Sequence, residues 1–143
     1  MNVGFFYAIA AAVTWGLVYV IDQKVLSGIS PITLLFIDSL ITALIVLPFV
    51  LVGDVSIKVV LGSGRTIIIL IIVSVLLAAL TNFFIFSGIK SLNASTASII
   101  EIAYPFFVVL FSMIFFQSKP NIYFFIGGIL IFIGSIFIIK FST

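Results

Sequence analysis

The sequence contains no cysteine and no histidine, which excludes disulfides, zinc sites and catalysis by thiol or imidazole. Charge is scarce too. Six Lys or Arg and four Asp or Glu make up 7% of the 143 residues and leave a net charge of +2. So small a balance does not point to nucleic acid. What fills the chain instead is apolar: 64% of residues are hydrophobic and the mean hydropathy is +1.56. Soluble domains run nearer half apolar and a quarter charged. A soluble fold of this length could not hide so much apolar surface, so the expected solvent is a lipid bilayer. The N-terminal apolar stretch lacks a basic leader and runs on to Asp22. That is longer than the apolar segment of a signal peptide, and it reads as a retained helix.

A helix that crosses a hydrocarbon core of about 30 Å needs about 20 residues. Five stretches meet that length: 3–22, 31–52, 66–90, 94–116 and 121–140. Barrel strands would be shorter and would alternate polar with apolar residues, a pattern absent here. The chain is therefore expected to form one all-α integral membrane domain over residues 1–143. The breaks have local causes. "SGISP" offers Ser30 as an N-cap and Pro31 as the first helical residue. "GSGR" supplies glycines, "SLN" is a tight link, and "QSKPN" carries Pro120. The 53–65 link is the longest and is read as lying along the interface.

Five spans place the termini on opposite faces. The face of the N-terminus then holds Lys58, Arg65 and Lys119, and the other holds Lys24, Lys90 and Lys140. Orientation follows the face richer in Lys and Arg, and here neither is richer. One reading is that the chain still inserts one way. The sharper reading is insertion in both orientations.

Helical rise is about 1.5 Å per residue, so depth follows from counting. Glu101 lies seven residues into the fourth span and Asp38 seven into the second, roughly 10 Å deep. Trp15 lies seven residues before Asp22, and Asn82 eight before Lys90. Four helices thus bring a polar or distinctive side chain to one level. A carboxylate is too short to snorkel that far, so these groups must face the bundle interior or a wet cavity. One explanation is a satisfied polar cluster, with Lys90 reaching a carboxylate and Asn82 bridging. The functional explanation is a site that protonates, or that binds a cation or an amine. Pro105 has no N–H and disrupts the bond to the residue four before it, which is Glu101. A kink there opens the Glu101 carbonyl to the same place. Pro48 reads as a kink without function. Ala8, Ala12 and Gly16 form a small-residue stripe on the first span, read as close helix packing, beside Trp15 and Tyr19. Trp15 fits plain packing as well as contact with a cationic or aromatic ligand. The candidate substrate set is Trp15, Tyr19, Asp38, Asn82, Glu101 and Tyr104. No catalytic residue, metal site or cofactor is expected.

The order of these features resembles one repeat of the EamA-type family, in the drug/metabolite transporter superfamily. "TWG" (Thr14–Gly16) with Lys24 following, "ISP" (Ile29–Pro31), and the block "FSGIKSLNASTASIIEIAYPFF" with Pro105 and Phe106 carry the likeness. So do Gly127 and Gly134 in the last span, which are also read as packing glycines. There are departures: Asp38 stands where many members carry a basic residue, and Gln117 and Ser118 replace a common Gly-Glu. The resemblance implies a transporter of a small metabolite. Most members have ten helices, as two repeats of opposite topology around a central site. A single repeat would rebuild that arrangement as an antiparallel homodimer, possible for a chain with balanced charge. Alternating access, with proton or cation coupling, in the cytoplasmic membrane is the expectation. The competing readings are a non-catalytic subunit working only with a related small membrane protein, and a membrane enzyme. The enzyme reading is the weakest, because no motif joins the acids, lysines and hydroxyls that remain.

Overall fold

A computed structural model describes residues 3–52 and 57–141. Seven helices occur among them: α1 (Val3–Leu26), α2 (Pro31–Val52), α3 (Ile57–Gly62), α4 (Arg65–Ser91), α5 (Ala94–Glu101), α6 (Tyr104–Phe116) and α7 (Ile122–Phe141). There is no strand among the described residues. Five segments are long and apolar enough to cross a membrane, with α5 and α6 together forming the fourth. The short α3 lies in the 53–65 link. Residues 53–56 fall outside the described residues, so the reading of that link as interfacial does too.

The helix ends follow the chemistry of their caps. Ser30 Oγ accepts the Thr33 amide at 3.1 Å and its carbonyl accepts Leu34 at 3.0 Å, so Ser30 caps α2 with Pro31 as first residue. Gly64 precedes α4 at φ 85°, ψ 159°, a conformation that a side chain disfavours. Asn93 Oδ1 caps α5 by accepting Thr96 N at 2.8 Å. The amide of Ala94 is satisfied from another helix, donating to Gln23 Oε1 of α1 at 2.6 Å.

One expectation from the sequence needs correction. The first span does not end at Asp22 but runs four residues further to Leu26. A polar residue marks a change of surroundings, not the end of a helix, and nothing before Gly28 breaks the backbone ladder. The fourth span, Ala94–Phe116, is interrupted at its Pro105 junction. Its helix stops at Glu101, turns through Ile102 and Ala103, and restarts at Tyr104 with Pro105 in the first turn. The bonds of the turn are Ile102 N to Ser98 O at 3.0 Å and Ala103 N to Ile100 O at 3.3 Å. The missing proline N–H and its ring account for the break. Elsewhere the spans shift by a residue. Asn121 is a cap and not a helical residue, its Oδ1 accepting Tyr123 N at 3.2 Å and its carbonyl accepting Phe124 N at 2.9 Å.

Packing centres on α4, which lies against α1, α2 and α5, while α1 also meets α5 and α7 leans on α5 and α6. The buried apolar residues are few: Tyr19, Leu26, Phe86, Ile89, Ala94 and Ala97. They gather where α1 ends, α4 ends and α5 begins. Elsewhere large apolar side chains face outward, as suits helices solvated by acyl chains. Small residues bring α4 and α5 together: a Cβ on Gly88 would stand 3.8 Å from Ala97 Cβ. The bundle is thus tied tightly at one end.

Candidate functional site

The tied end holds the polar chemistry at its inner edge. On α1, Trp15, Tyr19 and Asp22 follow one another at spacings of four and three residues and so share a face. Trp15 packs edge-on against Tyr19, with ring centroids 5.7 Å apart and planes at 63°. The Tyr19 hydroxyl donates to Glu101 Oε2, linking α1 to the last residue of α5. Glu101 is half-buried. Because α5 terminates there, its carboxylate sits beside the turn that Pro105 imposes.

Two cavities adjoin each other at Trp15 and Asn82. The larger, about 750 Å³, is lined by α1, α4 and the α5–α6 junction, including Trp15, Tyr19, Asn82, Ser98, Glu101 and Tyr104. The smaller, about 290 Å³, lies between α1, α2 and α4, and includes Trp15, Asp22, Asp38, Thr42 and Asn82. Trp15 and Asn82 belong to both. Within the chain one flank of the larger cavity is uncovered: Trp15 is 53% exposed and Tyr104 61%.

Five of the six residues expected at the site therefore line one cavity: Trp15, Tyr19, Asn82, Glu101 and Tyr104. Asp38 does not. It lies across Trp15 and Asn82 in the smaller cavity, because α2 presents it to α1 and α4 and not to α5. Among the described residues Lys90 is not the partner of a carboxylate. Its ammonium donates to the Ile29 carbonyl at 2.7 Å, which pins the α1–α2 turn to the end of α4. The partner of Glu101 is a phenol, an uncharged donor.

The small-residue stripe faces the larger cavity. Ala8, Ala12 and Gly16 line the larger cavity, and a Cβ on Gly16 would meet nothing within 4 Å. Gly127 and Gly134 likewise have nothing within 4 Å of such a Cβ. Among the described residues nothing lies against those glycines within that distance. The small-residue contact that the chain does make, Gly88 with Ala97, was not singled out in the sequence.

Asp22 was missed as well. It is 8% exposed, it lines the smaller cavity, and its Oδ2 has no hydrogen-bond partner among the described residues. The available signal was its register with Trp15 and Tyr19, together with a helix that has no breaker before Gly28. No group of three or more acidic, His or Cys side chains suited to a metal occurs among the described residues.

The arrangement combines an acid held by a phenol, an amide shared between two cavities, and aromatic walls. A carboxylate can pair with a cationic group, and aromatic rings can stack on an apolar one. The family model described as the EamA-like transporter family matches residues 2–140. No curated protein and no solved structure matches the chain significantly.

Proposed function

The chain belongs to the EamA-like transporter family, a membrane transporter of the drug/metabolite type, and we propose that it moves a small metabolite by alternating access as an antiparallel pair. The observation that carries this reading is the larger cavity, with a flank at Trp15 and Tyr104 that the described helices leave exposed. A second unit laid against that flank in the opposite sense would enclose the cavity with two sets of the same groups. Inverted repeats around a midplane site work in this way. The small residues Ala8, Ala12 and Gly16 border the open flank, where they would let a partner helix approach. Three basic residues on each face give no strong preference for one orientation. Two opposed copies then have two equivalent end states, open to either side.

In this reading Glu101 and Asn82 contact the polar part of the substrate, Tyr19 orients the carboxylate, and Trp15 and Tyr104 hold the apolar part. Pro105 supplies the hinge between α5 and α6. The protein is a multi-pass membrane protein, and we place it in the cytoplasmic membrane.

The test is reconstitution into liposomes with a panel of amino acids, nucleosides and amphipathic organic cations. Trp15 is the sole tryptophan, so its fluorescence reports occupancy of the cavity. A compound that shifts this fluorescence should also show protein-dependent counterflow, and Glu101→Gln should abolish both. Flux equal to that of protein-free liposomes across the whole panel would overturn the proposal.

A further inference from the structure

The smaller cavity holds two carboxylates, and the substrate site needs neither. Asp22 and Asp38 line it from α1 and α2, and no basic side chain is among its lining residues. Lys90 is engaged by the Ile29 carbonyl. Asp22 is more than nine-tenths buried, and its Oδ2 finds no hydrogen-bond donor among the described residues. A buried carboxylate without a donor is costly, and inside a membrane it marks a pathway or a site. Something must compensate it.

We infer that the Asp22–Asp38 cavity binds a small inorganic monovalent cation of the Na⁺ type, at a site separate from Glu101. The other polar groups of the cavity are hard oxygen donors: the Asn82 amide and the hydroxyls of Thr14 and Thr42. Carboxylate, carbonyl and hydroxyl oxygens are the ligand set for hard cations. Thr14 is already arranged for the role. Its hydroxyl donates back to the carbonyls of Ala10 and Ala11 at 2.9 and 3.0 Å, which leaves oxygen lone pairs to accept. Charge argues for a monovalent ion. The cost of removing an ion from water grows with the square of its charge, and two carboxylates with neutral oxygens are a thin shell for a divalent ion at this depth. The volume of about 290 Å³ leaves room for a cation that keeps several waters, each occupying about 30 Å³.

The position of the site gives it a consequence. Trp15 and Asn82 line both cavities, so an ion beside Asp22 shares two walls with whatever occupies the space at Glu101. The amide of Asn82 can turn its oxygen to the ion while its NH₂ faces the larger cavity. Ion binding would then fix the orientation that a substrate meets.

The experiment titrates Trp15 fluorescence and the melting temperature of the purified full chain with NaCl, against choline chloride at equal ionic strength. A saturable fluorescence change with Na⁺ alone is expected. It should come with a rise in Tm of roughly 3–6 °C at ten times the Kd. Glu101→Gln should keep the response, and Asp22→Asn should lose it. If Asp22→Asn does not accumulate, Asp38→Asn and Thr42→Val carry the same test, with at least a tenfold weaker Na⁺ response expected. Equal effects of Na⁺ and choline, or an unchanged Na⁺ response in the aspartate variants, would overturn the proposal. So would methylammonium acting more strongly than Na⁺, which would assign the cavity to an amine. Because the readout is binding, the inference can fail while transport stands, and the reverse.

Discussion

The Tyr19 hydroxyl donates to Glu101 Oε2 across the α1–α5 contact, so the acid at the end of α5 is held by a residue of the buried core. The bond crosses eighty-two positions of sequence and joins the packing of the tied end to the chemistry of the larger cavity. Tyr19→Phe keeps the ring and its edge contact with Trp15 but removes the donor. The expected cost is about 1–3 kcal/mol, the range for losing a bond to a charged or partly buried acceptor. Glu101→Gln keeps an acceptor oxygen and should cost less than about 1 kcal/mol while abolishing substrate binding. Melting temperature and ligand binding measured together check the pair. A Glu101→Gln variant that unfolds but still binds would assign the acid to the scaffold.

Pro105→Ala returns an N–H to the α5–α6 junction, so position 105 can donate to the carbonyl of Glu101. The break at Ile102 and Ala103 should then close into continuous helix, since proline costs about 3 kcal/mol relative to alanine inside a helix. Amide exchange over residues 102–106 should slow, and stability should hold or rise. Transport should fall, because the hinge is gone and the Glu101 carbonyl is no longer open to the cavity. Exchange no slower than in the parent protein would show that packing, and not proline, sets the break.

Ala97→Leu tests the tied end. Ala97 is 4% exposed and its Cβ lies in the position that a Cβ on Gly88 would touch at 3.8 Å. Three extra carbons must separate α4 from α5, with an expected loss of about 1–3 kcal/mol. A leucine placed at Gly127, where nothing lies within 4 Å of a Cβ, should cost far less. Comparing the two melting temperatures distinguishes a small residue held by packing from one facing an open surface.

These contrasts show what could be read from the chain. The five spans were legible because apolar run length responds directly to bilayer thickness. The Ser30–Pro31 start and the Pro105 break were legible because capping and proline act locally. Depth along a helix could be counted, which brought Asn82 and Glu101 to one level; Trp15 lines the same cavity although α1 runs past Asp22, from which its depth is counted, to Leu26. Direction around the helix could not be counted. In lipid, both faces of a span are apolar, so there is little amphipathic pattern from which to read facing. That is why Asp38 was grouped with Glu101 although α2 turns it into the smaller cavity. Ala8, Ala12 and Gly16 border the larger cavity in the same way, a facing that spacing along the helix does not give. Asp22 was missed for another reason: polarity was taken for the end of the helix, and α1 continues to Leu26.

The last prediction concerns orientation. With all five spans crossing, the N- and C-termini should lie on opposite faces of any one molecule, and the basic residues would divide three to three between those faces. If the chain inserts both ways, a C-terminal reporter should register both sides of the membrane in one population. Single cysteines at Ser56 and Ser142, which lie outside the described residues, should each be labelled partly from either side. Adding two lysines to the 53–65 link should draw that link to the cytoplasm and drive the reporter outward. Adding two lysines after Lys140 should do the opposite. An equal mixture of the two biased variants should restore transport that each alone has lost, because only the mixture supplies opposed partners for the open cavity. If the unmodified chain reports one side only, its partner must be parallel or must be a different chain, and the antiparallel homodimer fails.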